Sequence, residues 1–197
     1  MKTLEEIIEN RPIKLELGCG ARKTPGYIGI DIRKYDDVDI DGDAFEILTQ
    51  LPDKCCSEIL AFHFFCHIDE WEKLLSEIAR VLIPGGRIKI VNPHFSNPYA
   101  HNDPTHKKLS GVYSMNFFAD CSFLRRKVPT YASLDLSVKS IRLEFKAERP
   151  FYFSYIVGRL WTAIMNLSYR FIEYYEWNLT GLIRCYEVCY VLEKNNS

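Results

Sequence analysis

The chain has 197 residues, 47% hydrophobic and 14% aromatic, enough for one well-filled domain and thin for two. Its 25 lysines and arginines nearly balance 26 aspartates and glutamates, so no overall positive field gathers nucleic acid. Seven cysteines, an odd number without C-x-x-C spacing, argue against a disulfide framework and a zinc ribbon, and point to reduced thiols in a cytoplasmic protein.

The acid-rich opening "MKTLEEIIENRP" reads as a short helix capped near Thr3 and lacks the apolar region of a signal peptide. The apolar runs "IKLEL" and "YIGID" predict two buried strands, and "VDI" at Val38 to Ile40 a short third. "AFEILTQL" predicts a helix behind Asp43, a capping residue. "EILAFHFF" predicts a fourth strand. In "DEWEKLLSEIARVLIPGG" residues Trp71, Leu74, Leu75, Ile78, Val81 and Leu82 share a helical face, and Pro84, Gly85 and Gly86 end it. "RIKIVNP" and "LSVKSIRLEFKAE" predict the fifth and sixth strands, and "CYEVCYVLEKN" the last. Between them lies the aromatic segment Phe151 to Trp177. A helix from Ser154 to Glu173 is expected there, with Ile156, Leu160, Ala163, Ile164, Leu167 and Phe171 as an apolar stripe packed on the sheet and covered further by a lid, a second copy of the chain or a membrane surface. Arg159, Thr162, Asn166, Arg170 and Glu173 form the opposite stripe, and this polar content excludes a membrane span. Strands alternating with helices predict an α/β, doubly wound, mostly parallel sheet in one domain over residues 1–197.

Such sheets bind ligands outside the carboxyl ends of their strands, where "KLELGCGARKTPGYIGIDI" puts Gly18 and Gly20. A dinucleotide fingerprint needs a third glycine where Lys23 stands, and an acid roughly 20 residues on; Asp31 follows Gly18 by only 13. The loop suits a ligand with a ribose and no phosphate.

"LELGCG", Asp31 ending the second strand, "GDA" at Gly42 to Ala44, "EILAFHFFCHI" and "EIARVLIPGGRIKI" resemble, in order and spacing, the class I S-adenosylmethionine (SAM)-dependent methyltransferases. The resemblance is strong over residues 13 to 93. It implies a Rossmann-like seven-stranded sheet with an antiparallel last strand and SAM as cofactor. It further implies that Glu16, Gly18, Cys19 and Gly20 hold the methionine part, Asp31 both ribose hydroxyls, Ile32 the adenine face, Asp43 and Ala44 its amino edge, and that His63 lies near the sulfonium. The sequence departs from the family in two places: about ten residues join the first two strands, so a loop replaces the usual helix, and Cys66 stands where relatives carry glutamate in H-x-x-E-H-I.

"NPHFSNPYAHNDPTHKKL", after the fifth strand, holds His94, His101 and His106 beside Asp103. A neutral imidazole is a natural general base for an acceptor; turn chemistry around Asp103 and a two-histidine, one-carboxylate metal set are the second and third readings, and no metal is expected. A D-P-T-H element is shared with a subset of the resembled methyltransferases, which puts His106 first as base. The resulting expectation is a methyltransferase acting on a small-molecule acceptor, at a hydroxyl oxygen; the alternatives are a SAM-binding module without transfer, or a protein or nucleic-acid acceptor.

Overall fold

In a computed structural model, residues 9, 11–146 and 151–196 are described, and the helix expected near Thr3 lies outside them. Seven strands form one sheet: β1 (Ile13–Leu17), β2 (Ile28–Asp31), β3 (Ile40–Asp41), β4 (Cys56–Phe62), β5 (Leu82–Pro93), β6 (Leu136–Glu144) and β7 (Glu187–Lys194), in the order β3-β2-β1-β4-β5-β7-β6. The first five run parallel, and β7 inserts antiparallel between β5 and β6. Their buried faces are near-continuous apolar runs, with Leu15, Leu17, Ile30, Ile59, Ile88 and Ile90 fully enclosed, as a sheet covered on both sides requires. Residues 18–27, between β1 and β2, contain no helix.

Helix α1 (Ala44–Gln50) is capped by Asp43, whose Oδ1 accepts from the amides of Phe45 (2.8 Å) and Glu46 (3.1 Å). Its carboxyl end is satisfied from α2 (Trp71–Val81): Arg80 donates to Leu48 O and Leu51 O, each at 2.8 Å. Helix α2 buries Trp71, Leu74, Leu75, Ile78 and Val81, the expected face. It stops at Val81, three residues before the proline and glycines expected to end it, and Leu82 to Gly86 already belong to β5. A short helix α3 (Pro98–Asn102) follows β5.

The helix expected over Ser154 to Glu173 is two, α4 (Tyr152–Met165) and α5 (Tyr169–Asn178). Asn166 ends the first by folding its Nδ2 back on Thr162 O (2.6 Å), and Ser168 caps the second at Phe171 N. The face turned inward is also the reverse of the expected one. Gly158, Thr162 and Met165 are buried, while Ile156, Leu160, Ile164, Leu167 and Phe171 are exposed. The cause is β6, an edge strand whose outer backbone groups need partners. Thr162 Oγ1 accepts from Phe145 N (2.9 Å), and Asn166 accepts from Leu143 N (2.9 Å) and donates to Leu143 O (2.7 Å). Gly158 permits this approach, since a Cβ there would collide with Phe145 O. Polar groups therefore face the sheet edge and the apolar stripe faces out. No helix among the described residues is long and apolar enough to cross a membrane.

Candidate active site

Sheet order reverses between β1 and β4, and the carboxyl ends of the parallel strands gather there. At the end of β1 the chain turns through Gly18 (φ 64°) and Gly20 (φ 59°), left-handed conformations that favour glycine. A Cβ on Gly18 would meet the Phe64 ring at 2.6 Å, whereas one on Gly20 would meet nothing within 4 Å, so the loop is braced on one side and open on the other. Asp31, ending β2, ties the loop down: Oδ2 accepts from Gly20 N and Oδ1 from Arg33 N, both at 2.8 Å. Glu16 is buried and accepts from Thr24 N. Cys19 lies between these acids; burial, then the charges of Asp31 and Glu16, push its thiol up to about 11. Ile32 projects into solvent at 72% exposure, an unusual position for a large aliphatic group at a loop mouth. Asp43 and the buried Ala44 begin α1 beside a hollow of about 240 Å³ that also touches Phe64, His67 and Lys107.

Past β4, His63 has φ 52°, rare for a residue with a side chain. Its Nε2 lies 3.0 Å from Glu187 Oε1. Register explains the meeting: β7 is antiparallel, so its first residue, Glu187, pairs with Pro93 and Glu144 at the same edge where the parallel strands end. Burial would raise the Glu187 carboxyl, but hydrogen bonds from His63 and from Lys146 Nζ (2.6 Å) outweigh it and hold the group below the usual carboxylate range. An ionised carboxylate only accepts, so the His63 nitrogen that faces it, Nε2, carries a proton. Lys146 stands on the wall of a cleft of about 660 Å³ formed by α3, α4 and the segment 181–186 leading into β7, with Tyr99, Phe145, Trp161 and Tyr186 among its lining. Glu187 and Lys146 were not singled out from sequence. The one signal for Glu187 was an acid opening the alternating apolar run "CYEVCYVLEK".

The three loop histidines separate. His94 is fully buried; Ser96 N donates to its Nδ1 (3.1 Å) and its Nε2 donates to Glu176 (2.9 Å), so neither nitrogen reaches a ligand, against the expectation that it serves as a base. His101 is exposed and its Nε2 donates to Phe95 O (2.9 Å). Asp103 accepts from the amide (2.8 Å) and hydroxyl (2.6 Å) of Thr105, the turn chemistry weighed as its second reading, and these bonds hold its carboxyl below the ordinary range. His106 donates from Nδ1 to Ala100 O (2.8 Å), has Nε2 3.7 Å from Asp103, and its ring lies tilted against that of His67, centroids 4.9 Å apart. Like His63, it does not line the larger cleft. His101, Asp103 and His106 form no ligand set; among the described residues the potential donors that cluster are Cys66, His67 and His106, within 4.8 Å of one another. Burial pushes the Cys66 thiol up to about 11, and it donates to His63 O (3.2 Å), so it is a protonated and poor ligand.

Residues 15–90 match the family model described as a methyltransferase domain. No curated protein matches the chain. Among solved structures, a SAM-dependent methyltransferase from Archaeoglobus fulgidus is similar at 21% identity, with a TM-score of 0.58 over 95% of this chain and 88% of the other. Geranyl diphosphate C-methyltransferase from Streptomyces coelicolor A3(2) is similar at 15% identity, with a TM-score of 0.53 over 97% and 75%. At these identities the likeness is one of fold.

Proposed function

We propose that the chain, whose residues 15–90 match a methyltransferase domain model, is a SAM-dependent methyltransferase of the class I fold that transfers a methyl group from SAM to a hydroxyl oxygen of a small-molecule acceptor. The observation that carries the reading is the meeting of the glycine loop, Asp31 and the His63–Glu187 pair at one sheet edge beside a large cleft. The residues fit the cofactor. Each Asp31 oxygen accepts one hydrogen bond, which leaves a lone pair on each for the two ribose hydroxyls. Space in front of Gly20 admits the methionine part beside Glu16, Gly18 and Cys19, Ile32 offers an apolar face to the adenine, and Asp43 and Ala44 border its amino edge. When bound, SAM supplies a methyl group already activated by its sulfonium.

What the protein adds is position and proton removal. The acceptor occupies the mouth of the cleft lined by Tyr99, Trp161 and Lys146, which His63 adjoins through Glu187 and Lys146 without lining it, and the hydroxyl proton passes to His63 Nδ1. Glu187 holds the ring in the tautomer with the lone pair on Nδ1 and balances the charge it gains, the role an acid plays behind a catalytic histidine. His106 orients α3 through Ala100 O and so shapes the cleft wall. The seven free cysteines, five of them buried, suit a reducing cytoplasmic setting.

The test is incubation with SAM and a panel of small hydroxyl, amine and carbon acceptors, with S-adenosylhomocysteine release and the product's methyl position both followed. Methyl ethers are expected. Cofactor binding with no product from any acceptor, protein or nucleic acid included, would make the chain a binding module instead.

A further inference from the structure

Helix α4 presents its apolar stripe to solvent. With 3.6 residues per turn, Ile156, Leu160 and Ala163 fall opposite the packed residues Gly158, Thr162 and Met165, and Leu167, just past the helix, is also exposed. Phe153 and Ile164 widen that outward strip, and Phe153 is 81% exposed. The outward face of a surface helix is ordinarily its polar one. Phe151, Tyr152 and Tyr155 at the start of the helix and Tyr174, Trp177 and Leu182 further along the same segment are also exposed, an aromatic content typical of groups that sit where water meets lipid.

Within the described segment that carries this face, the exposed charges have one sign. Within residues 151–184 the exposed charged side chains are Arg159, Arg170 and Arg184. Both acids of the segment turn inward: Glu173 is buried and accepts from Tyr113 Oη and the amides of Arg125 and Arg126, and Glu176 accepts from Val112 N and binds His94. A two-fold dimer through the face would bring these arginines together with no exposed acid of residues 151–184 to offset them, a like-charge cost. An anionic surface meets both the apolar strip and the cations.

We propose that the outward face of α4, with its flanking aromatics and arginines, docks the protein on the surface of an anionic phospholipid bilayer. The helix lies in the interface plane with its apolar strip among the acyl chains' upper segments, as amphipathic helices do, and crosses nothing. Phe153, Val157 and Trp161 belong both to this helix and to the wall of the larger cleft, so docking brings the cleft to the bilayer. The inference rests on the surface alone and holds whether or not the cleft accepts a methyl group.

The experiment is co-sedimentation of the full chain with vesicles of phosphatidylcholine alone and of equimolar phosphatidylcholine and phosphatidylglycerol, at low and high salt. Binding is expected only to the anionic vesicles, weakening with salt. The double variant Leu160→Asp, Leu167→Asp, at positions outside the cleft and exposed in the free protein, is expected to bind at least tenfold more weakly while its circular dichroism and its SAM affinity stay unchanged. Absence of vesicle binding, equal binding to neutral vesicles, or full binding by the double variant would each overturn the proposal. So would a dimer by light scattering that the double variant converts to monomer, which would give the face to a second copy.

Discussion

Asp31 already holds two backbone amides before any ligand arrives, so its replacement tests two roles at once. Asp31→Ala is expected to weaken SAM binding by tenfold or more in calorimetry, since hydrogen bonds to a charged group are worth roughly 1.5–3 kcal/mol each. Asp31→Asn, which keeps one acceptor oxygen, should fall between; equal affinity in all three folded proteins removes the residue from the site. For the proton, His63→Ala is expected to lower kcat by about 10²- to 10⁴-fold with little change in SAM affinity, the usual worth of a general base. His106→Ala should change kcat less and KM for the acceptor more, because it acts through α3. The reverse ranking would return the base to His106. Metal analysis of protein purified without chelator should find zinc well below stoichiometric, as the protonated Cys66 thiol implies; full occupancy lost in Cys66→Ser would refute this. At this scale legibility followed sequence distance. The glycine loop and Asp31 stand close together in the chain, and the acid ends a strand the apolar pattern reveals. The His63–Glu187 pair spans 124 residues and depends on β7 running antiparallel, which no local spacing announces. His94 misled because a histidine in a polar loop looks available, while Glu176, 82 residues away, had claimed it.

Among the elements, α2 and α4 show when periodicity can be trusted. Helix α2 covers the middle of a sheet face, where only apolar contact is on offer, so its apolar stripe and its buried stripe coincide. Helix α4 covers an edge strand, where backbone N–H and C=O groups outweigh apolar contact; its buried stripe holds Gly158 and Thr162, and the half-buried Asn166 follows at its end. The sequence carried a hint, a glycine and two small hydrogen-bonding residues at i, i+4 and i+8, but nothing to say that the neighbouring strand lacked a partner. Asn166→Ala is expected to lower stability by about 1–3 kcal/mol, since it orphans both backbone groups of Leu143, and the loss should be read in urea unfolding with unchanged slope. A like substitution at an outward position, Leu160→Ser, should leave stability within about 0.5 kcal/mol. If Leu160→Ser costs as much as Asn166→Ala, the helix is seated the other way round.

For the molecule as a whole, the alternation of strands and helices made the parallel half of the sheet predictable, because each βα unit must bury its faces and cross over right-handed. The β5-β7-β6 half was less legible: it depends on long connections, residues 94–135 and 145–186, whose turns carry little periodic signal. That half supplies the buried carboxylate of Glu187, and its ion cluster yields a test of the assembled fold. Glu187 accepts from His63 in the parallel half and from Lys146 in the antiparallel half, so its charge joins the two. Its carboxyl is held below the ordinary range in the folded chain. A depressed folded value means that the unfolded chain binds a proton first as pH falls, so the contribution to stability is complete above the unfolded value, near 4.3, and is lost as pH drops through the folded one. The slope for one such group reaches at most about 1.4 kcal/mol per pH unit. Unfolding followed by urea from pH 7 down to pH 3 should therefore show a steep loss in the native protein below the carboxylate range. Glu187→Gln, which keeps the shape and removes the titration, should start less stable at pH 7 and lose less on acidification, so that the two curves converge toward low pH. Parallel curves would mean that the charge of Glu187 contributes nothing to joining the halves, and that His63 is oriented by its backbone alone.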